Sequence, residues 1–250
     1  IKPGTKNESV HIPVILSQSG LKELVYNDFH IGEDADVVII AGCGIHNGGS
    51  EDSEHSGVHS FYLSKNAKCK YIEKHYGSGE GTGENVMNPT TVVECAKDSY
   101  MEMETAQIKG VDSTDRITKA KLDDRATLVV REKIMTHGKQ FAKTRFEIEL
   151  SGENCSAHAM SRSVAKDESL QEFVSFMNGN NACSGRTECD AIIMDKAKVV
   201  AIPQIIANDP DAQLVHEAAI GKIAGEQLVK LMSLGLSEAK AEEVIINGFL

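Results

Sequence analysis

Short strand-like segments follow one another along most of this chain, with no amphipathic helix between them. The runs "ADVVIIAGC" (35–43) and "VVAIPQIIA" (199–207) are apolar, and "TRFEIEL" (144–150) alternates strictly between apolar and polar residues. Turn-forming clusters such as "SGEN" (151–154) and "NGNNACSG" (178–185) separate these segments. A doubly wound sheet is excluded, because its parallel strands need a crossover helix between them. The pattern leaves a β-sandwich, a barrel or a β-solenoid, and the lack of an exact repeat keeps all three open.

The end of the chain has a helical pattern instead. The segment "EQLVKLM" (226–232) places two leucines and a methionine at helical spacing, and Gly235 is a typical helix terminator. Ser237 is a good N-cap for a second helix. Two helices of this length are not stable alone. We therefore divide the chain into a β-rich core, residues 1–218, and a helical domain, residues 219–250.

Composition excludes several classes of function. The formal net charge is -11, from 37 acidic and 26 basic residues, which argues against unspecific binding to nucleic acid or to an anionic membrane. No apolar run reaches the ~18 residues of a membrane helix, and no signal peptide is visible. We therefore expect a cytoplasmic protein with reduced thiols. The six cysteines form no CxxC pair, which excludes a zinc ribbon or a ferredoxin-type ligand run.

Two polar segments contain residues that suggest a site. The glycine-rich "GSGEGTG" (77–83) lacks the Gly-Lys-Ser/Thr ending of a P-loop, and we interpret it as a mobile acidic loop. The segment "HNGGSEDSEHSGVH" (46–59) contains His46, His55 and His59 among three acidic residues. These histidines could bind a metal ion, but the glycines and serines around them favour a solvated loop.

Cys189 and the pair His216-Glu217 form a third candidate. Cys189 follows the predicted turn "SGRTE" (184–188), and the pair closes the last predicted strand before the helices. Ends of neighbouring strands in a stacked sheet can lie close together in space. Thiolate, imidazole and carboxylate together are a mixed ligand set for iron or zinc. Spacing alone favours the alternative of a buried cysteine and an unrelated, solvated His-Glu pair.

A longer stretch carries a resemblance to a known family. The motifs "RTECDAIIMD", "DAQLVHEAAIGKIAG", "LGLSE" and "NGF" within residues 186–249 closely resemble the C-terminal part of the SufB/SufD family, the scaffolds of SUF iron-sulfur cluster assembly. A fainter likeness extends back through "MSRSVAK" and "AGCGIHN". His216 matches a histidine of both scaffold types, whereas Cys189 and Glu217 match the SufB type. The chain is thus identified as a SufB-like member, in a compact, archaeal-type form.

The resemblance implies a right-handed parallel β-helix followed by a small helical domain. It implies a scaffold rather than an enzyme, with a transient iron-sulfur cluster held by Cys189, His216 and Glu217, and with Cys43 as the candidate sulfur acceptor. The helical domain would dock on a SufC-type ABC ATPase. That partner would hydrolyse ATP, since this chain has no P-loop motif. A second SufB/SufD-like subunit would pair through the β-helices, as a homodimer if only this chain is present. A sulfur donor and apo iron-sulfur proteins are the other implied partners, and participation of a reduced flavin stays open.

Two alternatives remain at this point. One is a SufD-like structural subunit of the same complex, which would leave Cys189 and Glu217 without a role. The other is a polysaccharide-active β-helix enzyme, which the absence of Trp and of an export signal disfavours. The bacterial SufB pattern Gln-x-Trp also appears here as residues 75–77, "HYG", so the route of sulfur delivery differs from the bacterial pattern.

Overall fold

The computed structural model describes all 250 residues and contains sixteen strands followed by two helices. The strands are β1 (Lys6–Leu16), β2 (Lys22–Ile31), β3 (Asp36–His46), β4 (Ser53–Leu63), β5 (Lys68–Ser78), β6 (Asn85–Met87), β7 (Thr90–Cys95), β8 (Tyr100–Lys109), β9 (Ser113–Leu122), β10 (Thr127–Thr136), β11 (Phe141–Leu150), β12 (Ser156–Ala165), β13 (Leu170–Gly179), β14 (Ser184–Ile193), β15 (Lys198–Ala207) and β16 (Gln213–Gly221). The helices are α1 (Gly225–Ser233) and α2 (Glu238–Phe249).

The strands form two parallel sheets that the chain visits alternately. One sheet has the order β1-β3-β5-β8-β10-β12-β14-β16, and the other has β15-β13-β11-β9-β6-β4-β2, with β7 pairing with β4 and β9 beside β6. Each inner strand therefore bonds to the strand one coil earlier and to the strand one coil later, as in a solenoid. The parallel β-helix implied by the family resemblance is confirmed, and the sandwich and the barrel are excluded.

The core lies between the two sheets, inside the coil. Because successive side chains of a strand point to opposite faces, every second residue enters this interior. In β11 the inward residues are Phe146, Ile148 and Leu150, which are fully buried as the alternation predicted. They belong to a cluster of 29 buried side chains that runs through the coils.

Two local predictions were wrong. Cys189 lies in the middle of β14, not at its start, because the predicted turn at 184–188 is part of that strand. Residues 53–59 belong to β4 and are not a solvated loop. The glycine-rich segment begins at the end of β5 and continues as a loop, in which the amides of Gly81 and Thr82 bond to the carbonyls of Asn47 and Gly49.

The helical end agrees with the sequence prediction. Gly235 follows α1 with a φ of +95°, and the Ser237 hydroxyl caps α2 by accepting from the Lys240 amide at 3.4 Å. α2 packs on the solenoid through Ile246, which contacts Val164 and Ile192. Neither helix is long and apolar enough to cross a membrane.

Candidate functional site

Cys189 and His216 lie on the neighbouring strands β14 and β16, which together with β15 form the last coil, and they point to the same side. In the register of β14 and β16, Thr187 pairs with His216 and Cys189 pairs with Ala218. Thr187, Cys189 and His216 therefore all belong to the inward face. The Thr187 Oγ1 and His216 Nδ1 atoms are 2.7 Å apart, and the His216 ring stacks at 6.4 Å from the Phe173 ring.

The two side chains differ in how ready they are to bind a metal. Burial, together with a smaller effect of the Glu132 carboxylate, raises the pKa of the Cys189 thiol to about 12, so the thiol is protonated at neutral pH. Burial lowers the pKa of His216 below its ordinary 6.5, which keeps the imidazole neutral and able to donate a lone pair. Cys189 becomes a ligand only if the metal displaces its proton.

Glu217 points the other way. It lies opposite Glu188 on the outer face, where its Oε2 accepts from Arg186 Nη2 at 2.6 Å. Arg186 also binds Glu188, which in turn pairs with His158 at 3.0 Å. The chain therefore brings Cys189 and His216 to one side of the sheet and leaves Glu217 on the other. No group of three or more His, Cys, Asp or Glu side chains in the chain is arranged to hold a metal ion.

The space beside Cys189 is small. A cavity of about 10 Å³ is lined in part by Cys189, Ser161, Thr144 and Phe173. That is at most about the room for one water molecule, so a cluster does not fit there in the closed coil. Ser161 pairs with Cys189 in the register and donates to Glu132 Oε2 at 2.7 Å.

Deeper in the interior lies a buried ionic network that sequence reasoning missed. Arg116 bonds to Glu73, approaches Glu132 at 3.4 Å, and donates to His75 Nδ1 at 2.8 Å. Burial alone would raise the pKa of Glu73, but the neighbouring His75 and Arg116 outweigh it and hold that pKa well below its usual value. Burial raises the pKa of Glu132 despite the neighbouring Arg116. A signal for this network exists, since Glu73 and His75 follow Tyr71 at every second position of β5 and so share its inward face.

Cys43 lies on the inward face of β3, near the other end of the solenoid. It pairs with Val14 on β1 and with His75 on β5. The side chain is buried, and burial raises the thiol pKa to about 12, with the Glu73 carboxylate adding to the effect. A sulfur acceptor should be accessible and carry a lowered pKa, and Cys43 has neither property in this closed state.

Residues 21–249 match the family profile "SUF system FeS cluster assembly, SufBD core domain". The chain belongs to the SufBD family. Family membership assigns this SufBD chain a role in iron-sulfur cluster assembly.

Its relatives are both archaeal and bacterial. An iron-sulfur cluster assembly SufBD family protein of Methanocaldococcus jannaschii is 27% identical over 256 residues, covering 100% of this chain and 79% of that protein. One of Archaeoglobus fulgidus is 29% identical over 252 residues, covering 99% of this chain and 66% of that protein. The iron-sulfur cluster assembly protein SufB of Bacillus subtilis is 35% identical over 101 residues, covering 39% of this chain and 22% of that protein.

Proposed function

We propose that this chain is a scaffold subunit on which a nascent iron-sulfur cluster is built, at the junction between two copies of the chain. The cluster is cargo that is passed on to apoproteins, so the scaffold is not itself an enzyme. The observation that carries this proposal is the position of Cys189 and His216. Both lie inside the last coil, directly beside the only end of the solenoid from which the chain continues into the helices.

The last coil has the properties of an interface. β15 and β16 are the outermost strands of their sheets on this side, so each leaves one row of backbone N–H and C=O groups without a strand partner. Both strands also expose apolar side chains, between 39% and 45% of each being accessible: Val200, Ile202, Ile205, Ile206, Val215 and Ile220. Long apolar edge strands invite pairing with another chain. A second copy presenting the same two edges would cover both, in an isologous dimer.

A junction of this kind can bring the separated ligands together. Each copy supplies Cys189 and His216 from the inner face and Glu217 from the outer face of the same region. Since the cavity beside Cys189 is too small for a cluster, the last coil must open before the thiol and imidazole reach iron. Thiolate binds sulfide-bridged iron firmly, whereas imidazole and carboxylate are harder, more labile ligands. A mixed set therefore suits a scaffold that has to release its product.

The helices are the part that an ATPase partner would move. β16 ends at Gly221 and α1 begins at Gly225, so the strand that carries His216 runs almost directly into the helical domain. A groove of about 680 Å³ lies between α1, α2 and the solenoid, lined in part by Ile192, Leu231, Val244, Ile245 and Phe249. We assign residues 219–250 as the docking module for a SufC-type ABC ATPase. Movement of this module would then open or close the last coil.

Cys43 remains our candidate sulfur acceptor, on the condition that its end of the solenoid opens. Mass spectrometry after incubation with a sulfur donor tests this directly. A persulfide on Cys43 would support the assignment, and a persulfide on another cysteine with none on Cys43 would remove it.

One observation favours a second candidate function, a SufD-like structural subunit. Cys189 is buried and protonated, and the chain has no preformed group of metal ligands. Anaerobic reconstitution with ferrous iron and sulfide, with and without the ATPase and ATP, separates the two candidates. Stoichiometric iron and sulfide on the dimer supports the scaffold. Absence of bound iron and sulfide in both conditions, with the dimer and the ATPase complex intact, identifies a structural subunit.

A further inference from the structure

Two histidines of β4 face each other across a glycine inside the solenoid. His55, Gly57 and His59 alternate with outward residues, so all three lie on the inward face, and both imidazoles are buried. A Cβ atom on Gly57 would lie 3.2 Å from His59 Nε2 and 3.5 Å from His55 Nε2. The missing side chain of Gly57 therefore leaves a gap that both Nε2 atoms border.

The hydrogen bonds of His59 fix which of its nitrogens carries the proton. Tyr71 Oη donates to Glu73 Oε1 at 2.8 Å, which uses the only hydrogen of that hydroxyl. The contact of 2.6 Å between His59 Nδ1 and Tyr71 Oη must then be a donation from Nδ1. In the neutral ring, Nε2 is left with a free lone pair that faces the Gly57 gap.

His55 is fixed in the same way. Its Nδ1 lies 2.9 Å from Glu23 Oε2, and an ionised carboxylate can only accept, so Nδ1 carries the hydrogen. The Nε2 atom is buried without any hydrogen-bond partner. A buried polar atom without a partner costs free energy, and its position toward a gap suggests that something is bound there.

We propose that His55 and His59 are a binding site for a divalent transition-metal ion that prefers imidazole, of the class of Fe²⁺, Co²⁺ and Zn²⁺. Histidines that bind metals commonly donate their other ring N–H to a carboxylate or another acceptor, which orients the ring and strengthens the ligand. Here His55 donates to Glu23, and His59 donates through Tyr71 to Glu73. Magnesium and calcium are disfavoured because they select oxygen ligands.

Binding of one shared ion requires both imidazole rings to move. Metal–nitrogen bonds to imidazole are ~2.0–2.1 Å, so both rings would close toward the gap above Gly57 to share one ion. Since no third ligating side chain completes the group, the ion keeps water or a ligand that it brings with it. Two ligands with open positions hold an ion exchangeably.

The site can be reached from the end of the solenoid opposite the helices. Glu23 lies on β2, the outermost strand of its sheet, and its side chain is 37% exposed while that of His55 is 4% exposed. The carboxylate thus connects the surface to the buried imidazole. The site involves none of Cys189, His216 and Glu217, so it does not depend on the proposed cluster site.

Titration of the full-length, metal-free chain with Co²⁺ tests this proposal, monitored anaerobically by visible absorption and by calorimetry. The decisive variant is Gly57→Ala, because the added methyl group fills the gap while both histidines remain. Gly42→Ala on β3 is the matched control, since a Cβ there has no atom within 4 Å. His55→Asn and His59→Gln remove one ligand each, and circular dichroism reports whether each variant is folded.

We expect one bound Co²⁺ per chain with imidazole-ligand absorption in the wild type and in Gly42→Ala. Binding should weaken by about tenfold or more in Gly57→Ala and in either histidine variant. The double variant Cys189→Ser/His216→Ala should bind Co²⁺ as the wild type does. If Gly57→Ala, which keeps both rings, binds Co²⁺ with wild-type affinity and spectrum, the proposal is overturned even where a histidine variant fails to fold.

Discussion

His216 and Glu217 are neighbours in sequence but project from opposite faces of β16. His216 turns inward to Thr187, at 2.7 Å, whereas Glu217 turns outward to Arg186, at 2.6 Å. One chain therefore cannot direct both side chains at the same iron while β16 remains a regular strand. If both bind the cargo, then either the strand opens or the two copies of a dimer contribute different ligands.

The first prediction concerns the ligands on the inner face. We expect Cys189→Ser to lower the iron and sulfide bound after anaerobic reconstitution about tenfold or more, and His216→Ala to weaken retention of the cluster. Both variants should fold and bind the ATPase as the wild type does. Cys155→Ser is the matched control, as another buried thiol of the interior. Wild-type cluster yield in both Cys189→Ser and His216→Ala would return these residues to a structural role.

The second prediction concerns the dimer. Ile202→Asp places a carboxylate on the apolar edge of β15, and burying it unpaired costs ~3–5 kcal/mol, so the dimer Kd should rise about 100-fold or more. Analytical ultracentrifugation measures this. Ile15→Asp is the control, because Ile15 is 74% exposed on β1 at the opposite end of the solenoid. A dimer that survives Ile202→Asp but is lost in Ile15→Asp would place the interface at that other end.

The third prediction concerns the helical domain. Leu231→Asp and Ile245→Asp introduce charge into the groove between the helices and should weaken ATPase binding by about tenfold or more, as for buried positions of other interfaces. Pull-down and calorimetry with the purified ATPase measure the effect. Lys240→Gln is the control, since it breaks only the exposed pair with Glu243 at 2.8 Å. Undiminished binding in both Asp variants would place the docking surface elsewhere.

The residues alone narrowed the fold to three architectures, a β-sandwich, a barrel or a β-solenoid, and did not decide between them. The strands were visible because their alternation is local, but the repeat of the solenoid was not, because it resides in turn geometry rather than in sequence identity. Asp34, Asn66 and Asp98 occupy corresponding turns of successive coils, each with a φ near +60°. Asn and Asp tolerate this left-handed conformation, so the coils share a turn type without sharing a motif. The family resemblance selected the β-solenoid from the three architectures.

The geometry around the candidate site residues could not be predicted from the sequence. Treating residues 184–188 as a turn placed Cys189 at a strand end, although these residues form the first half of β14. The serines and glycines of β4 likewise suggested a loop, although His55 and His59 alternate inward as strand residues. Small polar residues are acceptable in this interior because partners such as Tyr71 and Glu73 satisfy the buried polar groups. That compensation comes from neighbouring coils and is invisible in a local pattern.

The fourth prediction concerns acid stability. Glu102 lies between Lys70 at 3.6 Å and Arg131 at 2.6 Å; burial opposes its ionisation, but these two cations lower its pKa below 4.5. The ionised Glu102 therefore stabilises the fold at pH values above its pKa in the unfolded chain. This contribution is lost as the pH falls through the pKa of Glu102 in the folded protein. Urea unfolding at pH 7, 4.5 and 3 should show a smaller acid loss in Glu102→Gln than in the wild type. Glu147→Gln is the control, because the pair of Glu147 with Lys119 is exposed. If Glu147→Gln reduced the acid-induced loss of stability as much as Glu102→Gln does, the effect would not be specific to Glu102.

The fifth prediction concerns the ionic network in the interior. Arg116 is the only cationic side chain that contacts both Glu73 and Glu132, and all three are buried. Arg116→Met keeps the apolar bulk of the side chain but leaves two buried carboxylates without their partner, which should lower the free energy of unfolding by ~3–5 kcal/mol. Denaturant unfolding at pH 7 measures this loss.

Arg131→Met is the matched control for the network. It removes an arginine from a pair with Glu102 on the outer face, where the Arg131 side chain is 45% exposed, so the loss should stay within ~1 kcal/mol. Lowering the pH toward 5 should restore part of the stability of Arg116→Met relative to the wild type, because Glu73 without Arg116 is more easily protonated and a neutral carboxyl group is less costly to bury. Equal losses in the two variants, with no recovery at lower pH, would mean that Arg116 contributes through packing and that its charge is not needed to neutralise the interior.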